Sequence, residues 1–237
     1  MSLVPNKNLF IVTSALNANI GVVTEEERLE QTVASLISIR THVPDALILF
    51  SDGSPREVPL SSFQKIKPYV NLIMSWSKDE EVRYFAEQGR KSEAEILLLS
   101  KTFRMIRNNV EMMKIMQGVK RIYKYSARTV LTQDFDIGAY KNMFGKYVFK
   151  KALPSWMPED RKNNITDHLF ITRMYSFCPS LLDNYMMTQQ YIFNDVVNHG
   201  IDTEHAHYKC LDKKYVVEFD KLHCNGIVAG SGELEKY

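Results

Sequence analysis

The chain lacks the features that mark several common protein classes. Its 237 residues include only three cysteines, Cys178, Cys210 and Cys224, and no two are spaced as Cys-x-x-Cys. An odd, scattered set argues against a disulfide framework and against a close-paired zinc or redox motif; reduced thiols in a cytoplasmic protein are the expectation. No apolar run reaches the roughly 18 residues that would span a bilayer, and residues 9–12, after Lys7, form too short a run for a secretory leader. There is no Gly-x-Gly-x-x-Gly fingerprint and no P-loop. His-Glu-x-x-His spacing is absent, and so is the Gly-x-Ser-x-Gly elbow that would support Ser-His-Asp hydrolysis. Internal repeats, low-complexity tracts and long linkers are also missing.

What is present is a patterned globular chain. Hydrophobic residues make up 45 % of it, enough for a substantial core, and the length suits a single domain. Residues 9–13 and 46–50 are short apolar runs that read as buried strands. Thr24-Glu-Glu-Glu27 is a capping box that opens a helix with Leu29, Val33, Leu36 and Ile37 on one face; residues 42–44 end it. Residues 51–55, Ser-Asp-Gly-Ser-Pro, form a turn. Residues 70–76 read as a third strand. Ser77-Lys-Asp-Glu80 is a second capping box, and one long helix runs from Ser92 to Gly118 on the spacing of Ile96, Leu99, Phe103, Ile106, Val110 and Met113. Residues 121–125 and 169–175 read as strands, 146–150 as an edge strand and 154–164 as a loop. Ser180 opens a helix that Gly200 stops, Asp202 or Thr203 opens a short one, and the glycine-bearing end, with Gly226, Gly230 and Gly232, forms strands and turns. Strands alternating with helices predict an α/β fold: a mainly parallel central sheet, helices on both faces, and a smaller C-terminal α+β part.

The charge is uneven although the net is only +2. Residues 1–100 carry a net of −3, residues 101–151 carry 12 basic and 3 acidic groups, and residues 152–237 carry a net of −4. A concentrated cationic field attracts phosphates or nucleic acid. The basic segment contains residues 122–136, where a strand bearing Lys124 and Arg128 leads to the acidic pair Asp134-Phe-Asp136. In parallel sheets, ligands sit at the carboxyl ends of strands. That brings Thr13, Ser14 and Asn17 after the first strand, Asp52 after the second, and residues 126–136 after the fourth to one place. Two carboxylates one residue apart can hold a hard divalent cation that also binds phosphate oxygens. Lys124 and Arg128 offer an alternative, stabilising a departing diphosphate without metal. Asp52 is placed to accept hydrogen bonds from a nucleoside. Glu204 and Asp167 are the candidate general bases for a hydroxyl acceptor, and His205 is a candidate third metal ligand.

The strand ending at Arg128, Leu131 and the Asp134-Phe-Asp136 pair resembles the core of GT-A-type glycosyltransferase-like proteins of bacterial surface-polysaccharide clusters and phages. Residues 169–177, 201–205 and 226–232 fit the same resemblance. It implies a Rossmann-like nucleotide-sugar half (residues 1–136) and an acceptor half (137–237), a nucleotide-sugar donor, a carbohydrate or other hydroxyl acceptor, and Mn²⁺ or Mg²⁺ on the acidic pair. The departure is that Lys124 and Arg128 occupy the strand the acidic pair usually ends, which leaves a metal-independent mechanism open. Two other readings stand beside it. One is nucleic-acid binding through residues 101–151, where aromatics lie among the cations; the acidic pair inside the segment and its acidic flanks weigh against it. The other is a GT-A-like module without catalysis.

Overall fold

The computed structural model describes residues 7–18, 21–227 and 233–237. Seven strands form the central sheet: β1 (Lys7–Ser14), β2 (Leu47–Asp52), β3 (Leu72–Ser75), β4 (Val119–Ser126), β6 (Tyr147–Lys150), β9 (Met174–Phe177) and β10 (Val216–Phe219). Their order is β10-β6-β9-β4-β1-β2-β3. The pairs β3–β2, β2–β1, β1–β4 and β6–β10 are parallel, and β9 runs antiparallel between β4 and β6. Two small sheets flank this one. The first joins β5 (Thr129–Leu131), β11 (Cys224–Ile227) and β12 (Leu234–Lys236); the second joins β7 (Leu153–Pro154) and β8 (His168–Leu169).

The helices are α1 (Glu25–His42), α2 (Leu60–Ile66), α3 (Glu80–Glu87), α4 (Lys91–Asn108), α5 (Val110–Met116), α6 (Glu159–Asn164), α7 (Leu182–His199) and α8 (Thr203–Cys210). None of them is long and apolar enough to cross a membrane. Alternation along each central strand divides the core into two layers. Phe10, Val12, Ile48, Phe50, Tyr123 and Tyr125 face α1 and α2, while Leu9, Ile11, Leu49 and Ile122 face α4 and α7. Helices therefore cover both faces, as the strand and helix alternation predicts.

The sequence reading needs correction in several places, each for a physical reason. Parallel β2 and β3 require a crossover, and the unpredicted α2 supplies it. The long helix is two helices, because Asn109 leaves helical geometry and accepts a hydrogen bond from Met112 N. At the second capping box the capping side chain is Asp79, which accepts from Val82 N; Ser77 bonds Ser75 instead. β6 is not an edge strand but lies between β9 and β10. The loop expected at 154–164 contains α6, and the strand expected at 169–175 is split into β8 and β9. In α1 the buried face includes Leu29, Leu36 and part of Val33 from the expected stripe, but is widened by small polar residues. Ile37 is exposed, and small polar residues Thr32, Ser35 and Ser38 are buried beside Leu29, Leu36 and Ile39. Small side chains let β5 approach closely, and Ser38 Oγ accepts from Leu131 N at 3.1 Å. Gly200 closes α7 in the left-handed conformation (φ 60°) that a glycine adopts without steric cost. The turn residues expected at 228–232 lie outside the described residues.

Candidate functional site

The sheet order reverses at β1: the chain goes to β2 on one side and to β4 on the other. At such a switch point the loops leaving neighbouring strands diverge and open a crevice. A cavity of ≈ 200 Å³ lies there, lined by the ends of β1 (Thr13, Ser14) and β4 (Ser126, Ala127, Arg128), the turn after β2 (Gly53, Pro55), α1 (Arg28, Thr32) and the start of α4 (Lys91, Ala94, Glu95, Leu98). Backbone bonds fix its floor: Gly53 N donates to Ser14 O at 2.8 Å, and Ala127 N to Thr13 O at 2.9 Å.

Asp52 and Asn17 hold this floor together. Asp52 is fully buried, and its two carboxylate oxygens accept from Leu16 N and Ser54 N, both at 3.0 Å. Burial nevertheless raises its pKa above the ordinary carboxylate value. Asn17 N donates to Ser54 Oγ at 3.0 Å and its side-chain amide to Glu57 O at 3.3 Å. Both residues clamp the loops after β1 and β2 to each other, and neither lines the cavity.

Lys124 is the largest surprise of the site. Its side chain is 1 % exposed, and Nζ contacts Glu95 Oε1 at 2.5 Å, donates to Thr172 O at 2.7 Å and donates to Ser126 Oγ at 2.9 Å. The three partners consume its three donors. Glu95, a third exposed, lies at the cavity wall; burial raises its pKa, but Lys124 outweighs burial and holds the carboxyl below its ordinary value. Thr172 extends the chain of contacts. Its carbonyl binds Lys124, and its backbone lies beside the Glu204 carboxyl, whose pKa is pushed up to about 7 by burial and then by Asp202. Behind Lys124 the polar groups continue. His207 Nδ1 donates to Thr203 O at 2.6 Å, so Nε2 accepts from Tyr185 OH at 2.9 Å, and Tyr185 meets Tyr175. Burial pushes the neutral His207 ring down to about 4.

Three cations converge on the cavity: Arg28, Lys91 and Arg128. Arg28 Nε donates to Val23 O at 3.2 Å. Arg128 Nη1 is buried and has no hydrogen-bond partner among the described residues. Burial, followed by the nearby Arg28 and Arg173, holds the Arg128 guanidinium down to about 10, so it remains charged at neutral pH. Lys91 is lowered by burial and then by Arg128 and Arg28. Arg173, close by, donates to Ile227 O at 3.1 Å and lies 4.0 Å from Glu235. Sequence reasoning missed Arg28, Lys91, Glu95 and Arg173. One signal was available. Lys91 opens α4 and Arg28 is the fourth residue of α1, both near helix N-termini, where the macrodipole favours acids over cations.

The remaining candidates lie elsewhere. Asp134 and Asp136 are exposed, and Asp136 caps a short 3₁₀ turn by accepting from Gly138 N at 2.7 Å. The Phe135 ring between them packs 6.2 Å from His42, at the end of α1. Arg28 and His42 are 14 residues apart on that helix, about 21 Å at the α-helical rise, so the acidic pair sits at the far end of α1 from the cavity. Asp167 is exposed and bonded to His168 at 2.8 Å. His205 is buried, with both ring nitrogens engaged: Nδ1 with Asp202 at 2.7 Å and Nε2 with Ser155 Oγ at 2.9 Å. The residues present do not fit a divalent cation at the cavity. Glu95 is its one described lining carboxylate and is already in contact with Lys124. Among the described residues no three His, Cys, Asp or Glu side chains are grouped as a metal site. The cations of residues 101–151 are dispersed too: Lys101 pairs with Asp79 and Glu81, Arg107 with Asp183 and Lys114 with Glu111, while Arg121 and Lys124 are buried.

No protein-family profile and no curated protein matches the sequence. Solved structures do match the fold. The chain is similar to core-mannan synthase A from Aspergillus fumigatus in its Mn/GDP form, with 10 % identity, a TM-score of 0.51, and coverage of 90 % of this chain and 73 % of that one. It is similar to the mannosyltransferase Ktr4p from S. cerevisiae, with 12 % identity, a TM-score of 0.53, and coverage of 93 % and 70 %. The bifunctional glycosyltransferase WbbM matches with 11 % identity and a TM-score of 0.50 over 91 % of this chain but 39 % of its own. Together with the sheet order and the enclosing helices, these likenesses show that the chain has a GT-A-like glycosyltransferase fold.

Proposed function

We propose that the protein is a glycosyltransferase that binds a nucleoside-diphosphate sugar in the cavity at the ends of β1, β2 and β4 and passes the sugar to a hydroxyl acceptor on the side of Glu204. The observation that carries this reading is the placement of a cation-lined cavity at the switch point of a GT-A-like sheet. At ≈ 200 Å³ the enclosed part is smaller than the roughly 300–1,000 Å³ of a pocket that swallows a whole ligand. It suits the charged centre of such a donor, with the nucleoside and sugar extending into the open cleft. Residues 1–136 thus act as the donor half, and residues 137–237 contribute the acceptor side.

In the transfer, the anomeric C–O bond to the diphosphate breaks and its electron pair leaves with the phosphate. A new bond forms from the acceptor oxygen to the anomeric carbon, and the acceptor proton passes to Glu204. A carboxyl with a pKa of about 7 suits that task, because it is basic enough to take a proton yet ionised in useful amount near neutral pH. The Thr172 backbone lies beside Glu204, and its carbonyl is tied to Lys124. Lys124 is therefore a positioning residue that links Glu95 at the cavity wall to the base. Arg128 and Lys91 face the leaving group. The mannosyltransferase Ktr4p has been solved in complex with GDP, which makes GDP a natural first probe.

Calorimetric titration with UDP, GDP, CDP and dTDP is expected to show one of them binding with a one-to-one stoichiometry, weakened by substitution of Arg128. Absence of binding by every nucleotide, with and without Mn²⁺, would sink the proposal.

A further inference from the structure

The geometry points to a donor site in which Arg28, Lys91 and Arg128 neutralise the diphosphate themselves, so that the nucleotide binds without a divalent metal. This inference rests on the reading above and concerns how the same cavity is charged. Three observations carry it.

The first is the donor set. A divalent cation at a diphosphate needs one or two carboxylates beside the phosphate oxygens. Among the described residues Glu95 is the one carboxylate lining the cavity, and its charge is met by Lys124 at 2.5 Å. The Asp134 and Asp136 carboxylates stand at the opposite end of α1, beside His42. From the end of β4 the chain reads Ser126-Ala127-Arg128, which brings a guanidinium and no carboxylate to the cavity.

The second is that positive charge is gathered at the cavity at a cost. Lys91 begins α4 and Arg28 lies in the opening turns of α1, and the N-terminal ends of both helices carry partial positive charge. Arg28 has Glu25 nearby to offset this, and Arg128 has Glu95. Neither offset removes the mutual repulsion, since Arg28 and Arg128 both disfavour the charged form of Lys91. Cations held together against their own repulsion are relieved by an anion placed between them, as for a phosphate on a basic cluster.

The third is the orphaned donor. A buried guanidinium N–H without an acceptor costs free energy comparable to a lost hydrogen bond. Among the described residues Arg128 Nη1 is such a group, and a phosphate oxygen in the cavity would supply its acceptor. A diphosphate brings several such oxygens, which the planar guanidinium can engage two at a time. During transfer the same contacts stabilise the charge that grows on the leaving oxygen, the role a metal would otherwise fill.

The test is calorimetry on the full chain with the panel of four nucleoside diphosphates, in excess EDTA and again in Mn²⁺. Circular dichroism would check that each variant is folded. The expected result is binding in EDTA within about threefold of that in Mn²⁺, since no protein carboxylate is available to anchor the ion. Arg128→Met and Lys91→Met should each weaken binding by at least about tenfold, as loss of a charge-assisted hydrogen bond does. Arg128→Lys should recover part of the loss. Lys91 is exposed, so its variant tests the idea even where an Arg128 variant fails to fold. Binding seen in Mn²⁺ but lost in EDTA would overturn the inference while leaving the donor-site reading standing. Binding that both methionine variants leave unchanged would also overturn it. No binding of any nucleotide in either buffer would overturn both.

Discussion

The Glu95–Lys124 pair gives the sharpest quantitative expectation. Lys124 is enclosed by Glu95, Thr172 and Ser126. Removing one partner of a buried ion pair costs about 3–5 kcal/mol, because the charge left behind has lost its compensation. Glu95→Gln leaves Lys124 two neutral acceptors, so the lower end applies, about 3 kcal/mol. For a chain of this size that is a fall of roughly 6–12 °C in Tm. The reverse substitution, Lys124→Met, is milder. Glu95 is a third exposed and lies near Arg173, so its charge keeps water and a cation; the main loss is the donor to Thr172 O, about 1–2 kcal/mol. The double variant removes both charges and should be no less stable than Lys124→Met alone. The two substitutions therefore couple by about 3 kcal/mol or more. Urea denaturation followed by circular dichroism, on all four proteins without ligand, measures each term. A coupling energy near zero, or a Glu95→Gln variant within about 0.5 kcal/mol of the parent, would refute the account of Lys124 as a buried cation dependent on one carboxylate.

Four further outcomes are expected. Transfer activity should rise with pH through about 7 as Glu204 loses its proton, and Glu204→Gln should abolish transfer while leaving nucleotide affinity within about threefold, measured by a pH–rate profile and calorimetry. The same group links stability to pH. Its folded pKa is raised from 4.5 to about 7, so the folded protein holds a proton that the unfolded chain releases; stability should fall as pH rises across that window, and Glu204→Gln should remove about 3 kcal/mol of the fall in urea titrations. Asp134→Asn with Asp136→Asn should leave nucleotide binding unchanged, and a calorimetric loss of tenfold or more would return the acidic pair to the site. Gly200→Ala should lower stability by about 1 kcal/mol, because the C-cap backbone is left-handed at φ 60°.

The fold was legible because its signals are local. The capping box at Thr24, the apolar runs of β1 and β2 and the stop at Gly200 each act within a few residues. The errors came where distant contacts decide. Asn109 is an ordinary helix residue until its side chain caps the next turn, and Ile37 is an obvious core candidate until small Ser35 and Ser38 bring β5 close. The site was legible in position and not in occupancy. Thr13, Ser14 and Arg128 line the cavity as strand order predicts. Lys124 lies within β4, on the sheet face covered by α4, where Glu95 binds it. Period-two patterning assigns a face and says nothing about which helix residue will lie above it. Asp134-Phe-Asp136 lies away from the cavity, and Asp136 caps a turn there, a local role that the same spacing also serves. Arg28, Lys91 and Arg128 are 63 and 37 residues apart in sequence, so no motif could unite them; only the crossover connections do.

The described residues lining the cavity run from Thr13 to Arg128, whereas Glu204 comes from a helix that follows the antiparallel insertion of β9. On the proposed reading, donor capture and turnover are then written in separate stretches of one chain. A substitution at Glu204 alone can silence the chemistry while the donor pocket persists, so within a lineage of such chains an inactive nucleotide-binding descendant is a short mutational step from an active parent, and the converse step is equally short.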